Sequence, residues 1–324
     1  MYRSVFGDFP IRSLYFGGGT PSLFNHLEAL IEYINPPKGI EITLEANPED
    51  ITEKKMRAFR KMGINRVSIG VQSLVDTELL VLGRMHDRYR AINAVWDVYN
   101  AGISNITIDL MYETPLQTLS SFESTLDAVS VLPITHLSLY NLTIEERTVY
   151  KKNEKEILPL LPSSEMGMSM LNLAIDSLKE MGLSRYEISA FAKQGFEAEH
   201  NTGYWKGVPF IGFGPSAFSY LGGARFSNVK HLKRYSTYLK KGIFPVDFFE
   251  KLGGEAALSE KLAVALRLLK GVKLSEMPPL TKGIELELQK LQGTGHLQLH
   301  GSRLKLTQKG INFYDDVGTA LTTV

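Results

Sequence analysis

Leu14-Tyr15-Phe16-Gly17-Gly18-Gly19-Thr20-Pro21 is a short apolar strand that runs into three glycines and then a Pro-led helix. Without a Cβ, glycine lets the backbone bend sharply and bring its N–H and C=O groups against a ligand. A strand feeding such a turn is where α/β folds bind small molecules, although glycines after a strand also serve as a plain tight connection. Later strands that end on polar residues in the same way favour a site. Ile40 to Leu44 ends on Glu45-Ala46-Asn47-Pro48, and Arg66 to Val71 ends on Gln72-Ser73. Ile106-Thr107-Ile108 ends on Asp109, and His136 to Tyr140 ends on Asn141-Leu142-Thr143.

The segments between these strands read as helices. Thr52 can cap a helix in which Met56, Phe59 and Met62 recur at helical spacing, and Gly63 ends it. Asp87 can cap another with Ile92, Val95 and Tyr99 on one face, closed by Gly102. Strand, helix, Gly and strand at this spacing describe βα units and a parallel sheet. In a parallel α/β barrel the C-terminal strand ends share one mouth, so Gly17 to Thr20, Glu45, Gln72 and Asp109 are expected to face a single site.

Gly17-Gly18-Gly19-Thr20-Pro21, Glu45-Ala46-Asn47-Pro48, Gly70-Val71-Gln72-Ser73, Leu82-Gly83-Arg84-Met85-His86 and Asp109-Leu110-Met111 stand in a telling order. With Tyr186-Glu187-Ile188-Ser189, His200-Asn201-Thr202-Gly203-Tyr204-Trp205 and Gly212-Phe213-Gly214-Pro215-Ser216-Ala217 they cover most of residues 11 to 230. In this the chain resembles one group of radical S-adenosylmethionine (SAM) proteins: the oxygen-independent coproporphyrinogen III dehydrogenase or oxidase, HemN, and its relative, the haem chaperone HemW. The His-Asn-x-x-Tyr-Trp string resembles the haem-binding signature of HemW, which HemN lacks. The resemblance implies an incomplete (β/α)6-type partial TIM barrel with a small C-terminal domain. It implies haem binding and transfer to an acceptor protein, with the oxidase of porphyrin biosynthesis as the alternative. In a complete relative the reduced cluster donates an electron to SAM, which splits into methionine and a 5′-deoxyadenosyl radical.

The cysteine count is zero. Radical SAM proteins hold a [4Fe–4S] cluster with the thiolates of a Cys-x3-Cys-x2-Cys loop, and these 324 residues supply none. The family places that loop ahead of the GGGTP strand, where only Met1 to Pro10 precede Ile11, while a βαβ unit takes about 30 residues or more. The first βα unit is therefore expected to be missing by truncation, a misplaced start codon or gene decay. A third reading follows: a cluster-free binding protein or a decayed remnant without turnover. Strand 11 to 16, lacking a neighbour, is then an open edge through which the chain could dimerise.

By resemblance, Gly18, Gly19, Thr20 and Glu45 meet the methionyl end and sugar of SAM, and Gln72, Arg84, Asp109 and Thr143 occupy further SAM-contacting positions. Phe218 stands where the family frequently has His near the mouth. Each has a plainer reading. Glu45 could end a strand at a surface turn, Arg84 could compensate a helix dipole, and Gln72 and Asp109 could be strand-end hydrogen-bonding groups. His200 is the candidate haem-iron ligand, since imidazole is the commonest axial ligand, but a lone loop His is more often hydrogen-bonded or exposed. Tyr204 and Trp205 could line a macrocycle or fill a core. Glu113 replaces a family Gly, so that turn must differ or be strained. His296 and His300 lie four apart without a third ligand, and Met166, Met168 and Met170 read as core filler of a helix.

Composition bounds the rest. A net charge of +1 from 36 basic and 35 acidic residues gives no electrostatic case for nucleic acid or an anionic membrane. No apolar run approaches a spanning helix, so a cytoplasmic location is the expectation. Without cysteine, disulfides and thiolate zinc sites are excluded. The domain boundary is expected after residue 230, giving a barrel of residues 1 to 230 and a domain of residues 231 to 324. In the latter, helices at His231 to Lys241, Ser259 to Lys270 and Gly283 to Leu291 precede a hairpin around Gly301 and a last helix from Lys309, a winged-helix-like order. Lys151 to Lys155 reads as a solvated loop.

Overall fold

Residues 10–323 are described by a computed structural model. They form two compact units, one of residues 11–200 and one of residues 201–323. The division between these units falls inside the helix Glu199–Trp205.

The first unit is built on β1 (Ser13–Phe16), β2 (Glu41–Ala46), β3 (Arg66–Gln72), β4 (Asn105–Tyr112), β5 (His136–Asn141), β6 (Ser184–Glu187) and β7 (Ala190–Ala192). They make one sheet in the order β1-β2-β3-β4-β5-β7-β6. β1 to β5 are parallel, and β7 and β6 add an antiparallel hairpin beside β5. Among the described residues β6 does not pair back to β1, so the sheet is a partial barrel, open between its edge strands.

Successive residues of a strand point to opposite faces, and the two faces of this sheet differ in chemistry. Ile42, Leu44, Val67, Ile69, Ile106, Ile108, Leu137 and Leu139 are buried on one side and belong to the hydrophobic core. Burying each contributes about 1.5–3 kcal/mol. The alternate positions, Thr43, Arg66, Ser68, Thr107, His136 and Ser138, are equally buried but polar. Parallel sheets are normally apolar on both faces; here the second face is polar and hydrogen-bonded, with His136 held between Thr107 at 2.7 Å and the Tyr186 hydroxyl at 3.0 Å.

The helices cover the apolar face. Thr52 caps Glu53–Lys61 by accepting from the Lys55 N–H at 3.3 Å, and Met56 and Phe59 are buried. Gly63, at φ 105, turns the chain out of that helix. Asp87 caps Arg88–Asn100 at 2.7 Å from the Arg90 N–H. That helix buries Ala91, Ala94, Val95 and Val98; Tyr99, expected on this face, is exposed. These four small or branched residues bring the helix close to the sheet and leave the large ring outside. The helix expected directly after Thr20 is one 3-10 turn, Pro21–Leu23, followed by Leu27–Ile34. Residues 151–155, expected as a loop, lie in the short helices Val149–Lys152 and Glu154–Ile157 except for Asn153, which joins them. Thr148 caps the first, and a Lys151–Glu154 pair at 3.1 Å supports them. Of the three methionines of Ser164–Glu180 only Met170 is fully buried.

The second unit holds β8 (Phe218–Leu221), β9 (Ala224–Asn228) and β10 (Val246–Lys251), an antiparallel sheet in the order β10-β9-β8 that the sequence pattern did not reveal. The helix Leu232–Lys240 connects its last two strands. After it come Gly254–Leu266, β11 (Val272–Lys273), Lys282–Gly293 and the hairpin of β12 (Leu297–His300) and β13 (Arg303–Leu306), with Gly301 at φ 59 in the turn. Helix, strand, helix and hairpin, with sheet order β11-β13-β12, is a winged-helix-like arrangement.

Candidate functional site

Gly19, Thr20, Glu45, Gln72, Arg84 and Asp109 line one cavity of about 280 Å³ at the C-terminal ends of β1 to β4, with Asn47, Ser68 and Gly70 between them. Ligand pockets run from roughly 300 to 1,000 Å³, so this one lies at the small end of that range.

Its wall begins at the glycines. Gly18 and Gly19 adopt φ 76 and φ 54, and both are exposed at the lip. Glu45 holds the turn from below: its Oε2 accepts from the Gly18 N–H at 2.9 Å and its Oε1 from the Tyr15 hydroxyl at 2.6 Å. A Cβ on Gly17 would lie 2.6 Å from the Tyr15 ring and 3.0 Å from Glu45 Oε1. That glycine is required by the close approach of these two side chains. Burial first, then the Glu45 charge, pushes the Tyr15 hydroxyl well above its ordinary range, so it stays a donor.

Gln72 sits where the β3–β4 register slips, at φ 69, and the Ser73 N–H reaches back to the Val71 carbonyl at 2.9 Å. This is a γ-turn on a non-glycine residue, strained by about 1–3 kcal/mol. Beneath it, the Ser73 hydroxyl donates to buried Glu78 at 2.6 Å, and Gln117 donates to the same carboxylate at 3.1 Å. Gly70 leaves room for what gathers above. A Cβ there would stand 3.2 Å from Gln72 Nε2 and 3.5 Å from the Arg84 guanidinium. Arg84 is carried by a loop pinned through His86, whose Nε2 lies 3.2 Å from the Val71 carbonyl and Nδ1 3.2 Å from Glu49. Arg84 is therefore part of the cavity wall, with burial lowering its pKa and Glu49 and Asp109 opposing.

Asp109 accepts from Ser68 Oγ at 3.2 Å. Burial pushes its carboxyl up to about 6, against hydrogen bonds from Ser138 and Ser68; the Glu45 charge adds to the rise and Arg66 opposes it. With its groups ionised the cavity wall holds two carboxylates and one guanidinium. A ligand that is cationic overall and carries one carboxylate of its own complements that set.

Two candidates lie elsewhere. Thr143 is exposed in the loop after β5 and does not line the cavity. Phe218 lies in the second unit at the start of β8, 6.3 Å from the Phe248 ring, where both line a hollow of about 480 Å³ with Arg225 and Lys230.

His200 is the second residue of the helix Glu199–Trp205 and the last residue of the first unit. Its Nδ1 is 2.9 Å from Ser13 Oγ, and its ring stacks on Tyr15 with centroids 4.7 Å apart and planes 19° from parallel. Buried Glu41 receives the N–H groups of Glu199 and His200, each at 3.0 Å. Burial, helped by Arg66 and opposed by Glu41, lowers the imidazole to about 4, so it is neutral near pH 7 and able to ligate a metal. In the second unit Tyr204 packs edge-on against Phe210 at 4.5 Å, and the Arg267 guanidinium lies 4.3 Å from the Trp205 ring. Both aromatic rings have packing partners.

Tyr15, Ser13, Ser68, Gly70 and Asn47 were not singled out as site residues. For the strand residues one signal was available: Glu41-Thr43-Glu45, Arg66-Ser68-Gly70 and Thr107-Asp109 place small or polar residues at every second position. Period-two polarity in a parallel strand identifies the lumen. No residue is Cys, and among the described residues no group of three or more His, Asp or Glu is placed to hold a metal ion. The donors present therefore do not fit a [4Fe–4S] cluster.

The chain matches the Radical SAM superfamily over residues 4–129. It is 32% identical to the heme chaperone HemW of Bacillus subtilis, covering 81% of this chain and 71% of that protein. The HemW of Lactococcus lactis is 30% identical over 95% of this chain and 83% of its own length. Coproporphyrinogen III oxidase (HemN) from Escherichia coli, a radical SAM enzyme, has a similar fold, with TM-score 0.82 at 21% identity over 97% of this chain and 78% of that one.

Proposed function

We propose, for a chain that belongs to the HemW-like family of radical SAM proteins, that it binds SAM in the cavity at the strand ends and carries haem for transfer to an acceptor protein. The observation that carries the SAM reading is the convergence of Gly19, Thr20, Glu45, Gln72, Arg84 and Asp109 on one cavity. SAM bears a sulfonium, an ammonium and a carboxylate, the inverse of the cavity's two carboxylates and one guanidinium. Arg84 would take the carboxylate, Glu45 and Asp109 the ammonium and ribose hydroxyls, and the Gly18-Gly19-Thr20 backbone the edge of the ligand, with Gln72 fixing its orientation. Bound there, SAM supplies an adenosyl group activated by a positive sulfur. No radical step is derived, because the thiolates that would hold the cluster are not among these residues.

Haem would be cargo, with His200 as axial ligand and Tyr204 and Trp205 as packing groups. Neutral imidazole and the Ser13 contact at Nδ1 support this role, because a ligating His is usually held by a hydrogen bond at its other nitrogen. The absence of cysteine favours a second reading, a cluster-free binding protein without turnover. Among the described residues no helix is long and apolar enough to cross a membrane.

Calorimetry with SAM on the wild-type chain and Glu45→Ala tests the first site, and a Soret titration on wild type and His200→Ala tests the second. Binding of SAM unchanged in Glu45→Ala would remove the cavity from the reading. Identical haem spectra for wild type and His200→Ala would leave His200 without a ligand role.

A further inference from the structure

His200 lines no part of the SAM cavity, yet it is joined to it by a short chain of contacts. Its ring lies flat on Tyr15, 4.7 Å away. The Tyr15 hydroxyl donates to Glu45 Oε1 at 2.6 Å, and Glu45 Oε2 receives the Gly18 N–H at 2.9 Å. The Tyr15 ring occupies the space that a side chain at position 17 would need, since a Cβ there would come within 2.6 Å of it. One face of the ring is covered by the imidazole. The imidazole is itself anchored by Ser13 at Nδ1 and by Glu41 at its backbone N–H.

We propose that His200 is a positioning residue of the SAM site: by stacking on Tyr15 it fixes the hydroxyl that orients Glu45, and Glu45 in turn holds the Gly18 turn in its binding shape. This rests on the SAM reading above and extends it to a residue whose expected role was haem ligation alone. The stack and the hydroxyl act in series. The stack is non-polar in origin and needs only a flat ring at position 200, whereas the Tyr15–Glu45 link needs the oxygen. An aromatic pair of this kind contributes enough to change a binding constant by roughly three- to tenfold.

The test is SAM affinity by calorimetry on haem-free protein, with wild type, His200→Ala, His200→Phe, Tyr15→Phe and Glu45→Ala, each first shown to unfold cooperatively in urea. His200→Ala should weaken SAM roughly three- to tenfold, and His200→Phe should restore it although it has no nitrogen for a metal. Tyr15→Phe, which keeps the stack and loses the hydroxyl, should weaken SAM as much as His200→Ala does. If Glu45→Ala abolishes binding while His200→Ala leaves it intact, the positioning role is wrong and the SAM site stands. If His200→Phe is as weak as His200→Ala, the stack is not what matters and the proposal fails. If Glu45→Ala has no effect, the SAM reading fails and takes this inference with it.

Discussion

Replacing Asp109 by Asn should make the protein more stable and less able to bind SAM. The carboxyl titrates near 6 in the fold against an ordinary value of 3.8, chiefly because burial disfavours its charge. An acid raised in this way binds its proton more tightly folded than unfolded. The contribution is fully favourable below the unfolded value and is lost as pH rises through 6. Between those limits the fold gives up about 3 kcal/mol at most. The groups that set this value come from several strands and a loop: Glu45 and Arg66 act on Asp109, and Asp109 acts on Tyr15, Tyr140 and Arg84. Asn keeps the shape and accepts from Ser68 with its carbonyl, but carries no charge. Urea unfolding of wild type and Asp109→Asn from pH 4 to 8 should give matching stabilities near pH 4. The variant should gain with rising pH and level off above pH 7, up to about 3 kcal/mol ahead. SAM affinity at pH 7.5 should fall in the same variant. A stability difference that does not grow with pH, or a variant less stable at pH 7.5, would refute the burial argument.

Gln72→Gly should relieve the γ-turn at φ 69 and stabilise the protein by about 1 kcal/mol in thermal unfolding, while calorimetry finds weaker SAM binding. Glu113, at φ 60, lodges its carboxylate where a Cβ on Gly167 would stand. Gly167→Ala should therefore cost about 1–3 kcal/mol in wild type and much less beside Glu113→Gly, as a double-mutant cycle in urea would show. Iron and sulfide added anaerobically to these 324 residues should give no cluster that survives gel filtration, since no thiolate is present. Amide exchange at Ser13–Phe16, which pairs only with β2 among the described residues, should be faster than at Val67–Val71. Equal protection, or no dimer at high concentration, would count against a dimer through strand 11 to 16.

The parallel core was legible because its signals are local. Thr52 and Asp87 are caps three residues from the N–H groups they accept, and Gly63 ends a helix by its own backbone angle. Glu45, Gln72 and Asp109 could be placed together because strand ends in a parallel sheet necessarily share a rim. Tyr15 could not be read the same way. In the sequence it is one apolar residue of a short strand, and its role depends on Glu45 and His200, which only folding brings near. Glu113 was recognised as a misfit by its residue type, but the accommodating position, Gly167, lies on a helix that sequence alone gives no reason to connect with it. The antiparallel sheet of β8 to β10 is not legible in the sequence because its strands are short and β10 sets exposed aromatics among charges, without a clean alternation.

The Glu41 carboxylate that receives the Glu199 and His200 N–H groups spans 158 and 159 residues of chain. Closing so long a loop is entropically unfavourable, and contacts of such separation form late in folding. The anchor is in β2, while the residue it anchors follows all seven strands of the sheet in sequence. The seating of the imidazole therefore depends on a contact between two distant parts of the chain, and any change that loosens β2 is felt at His200.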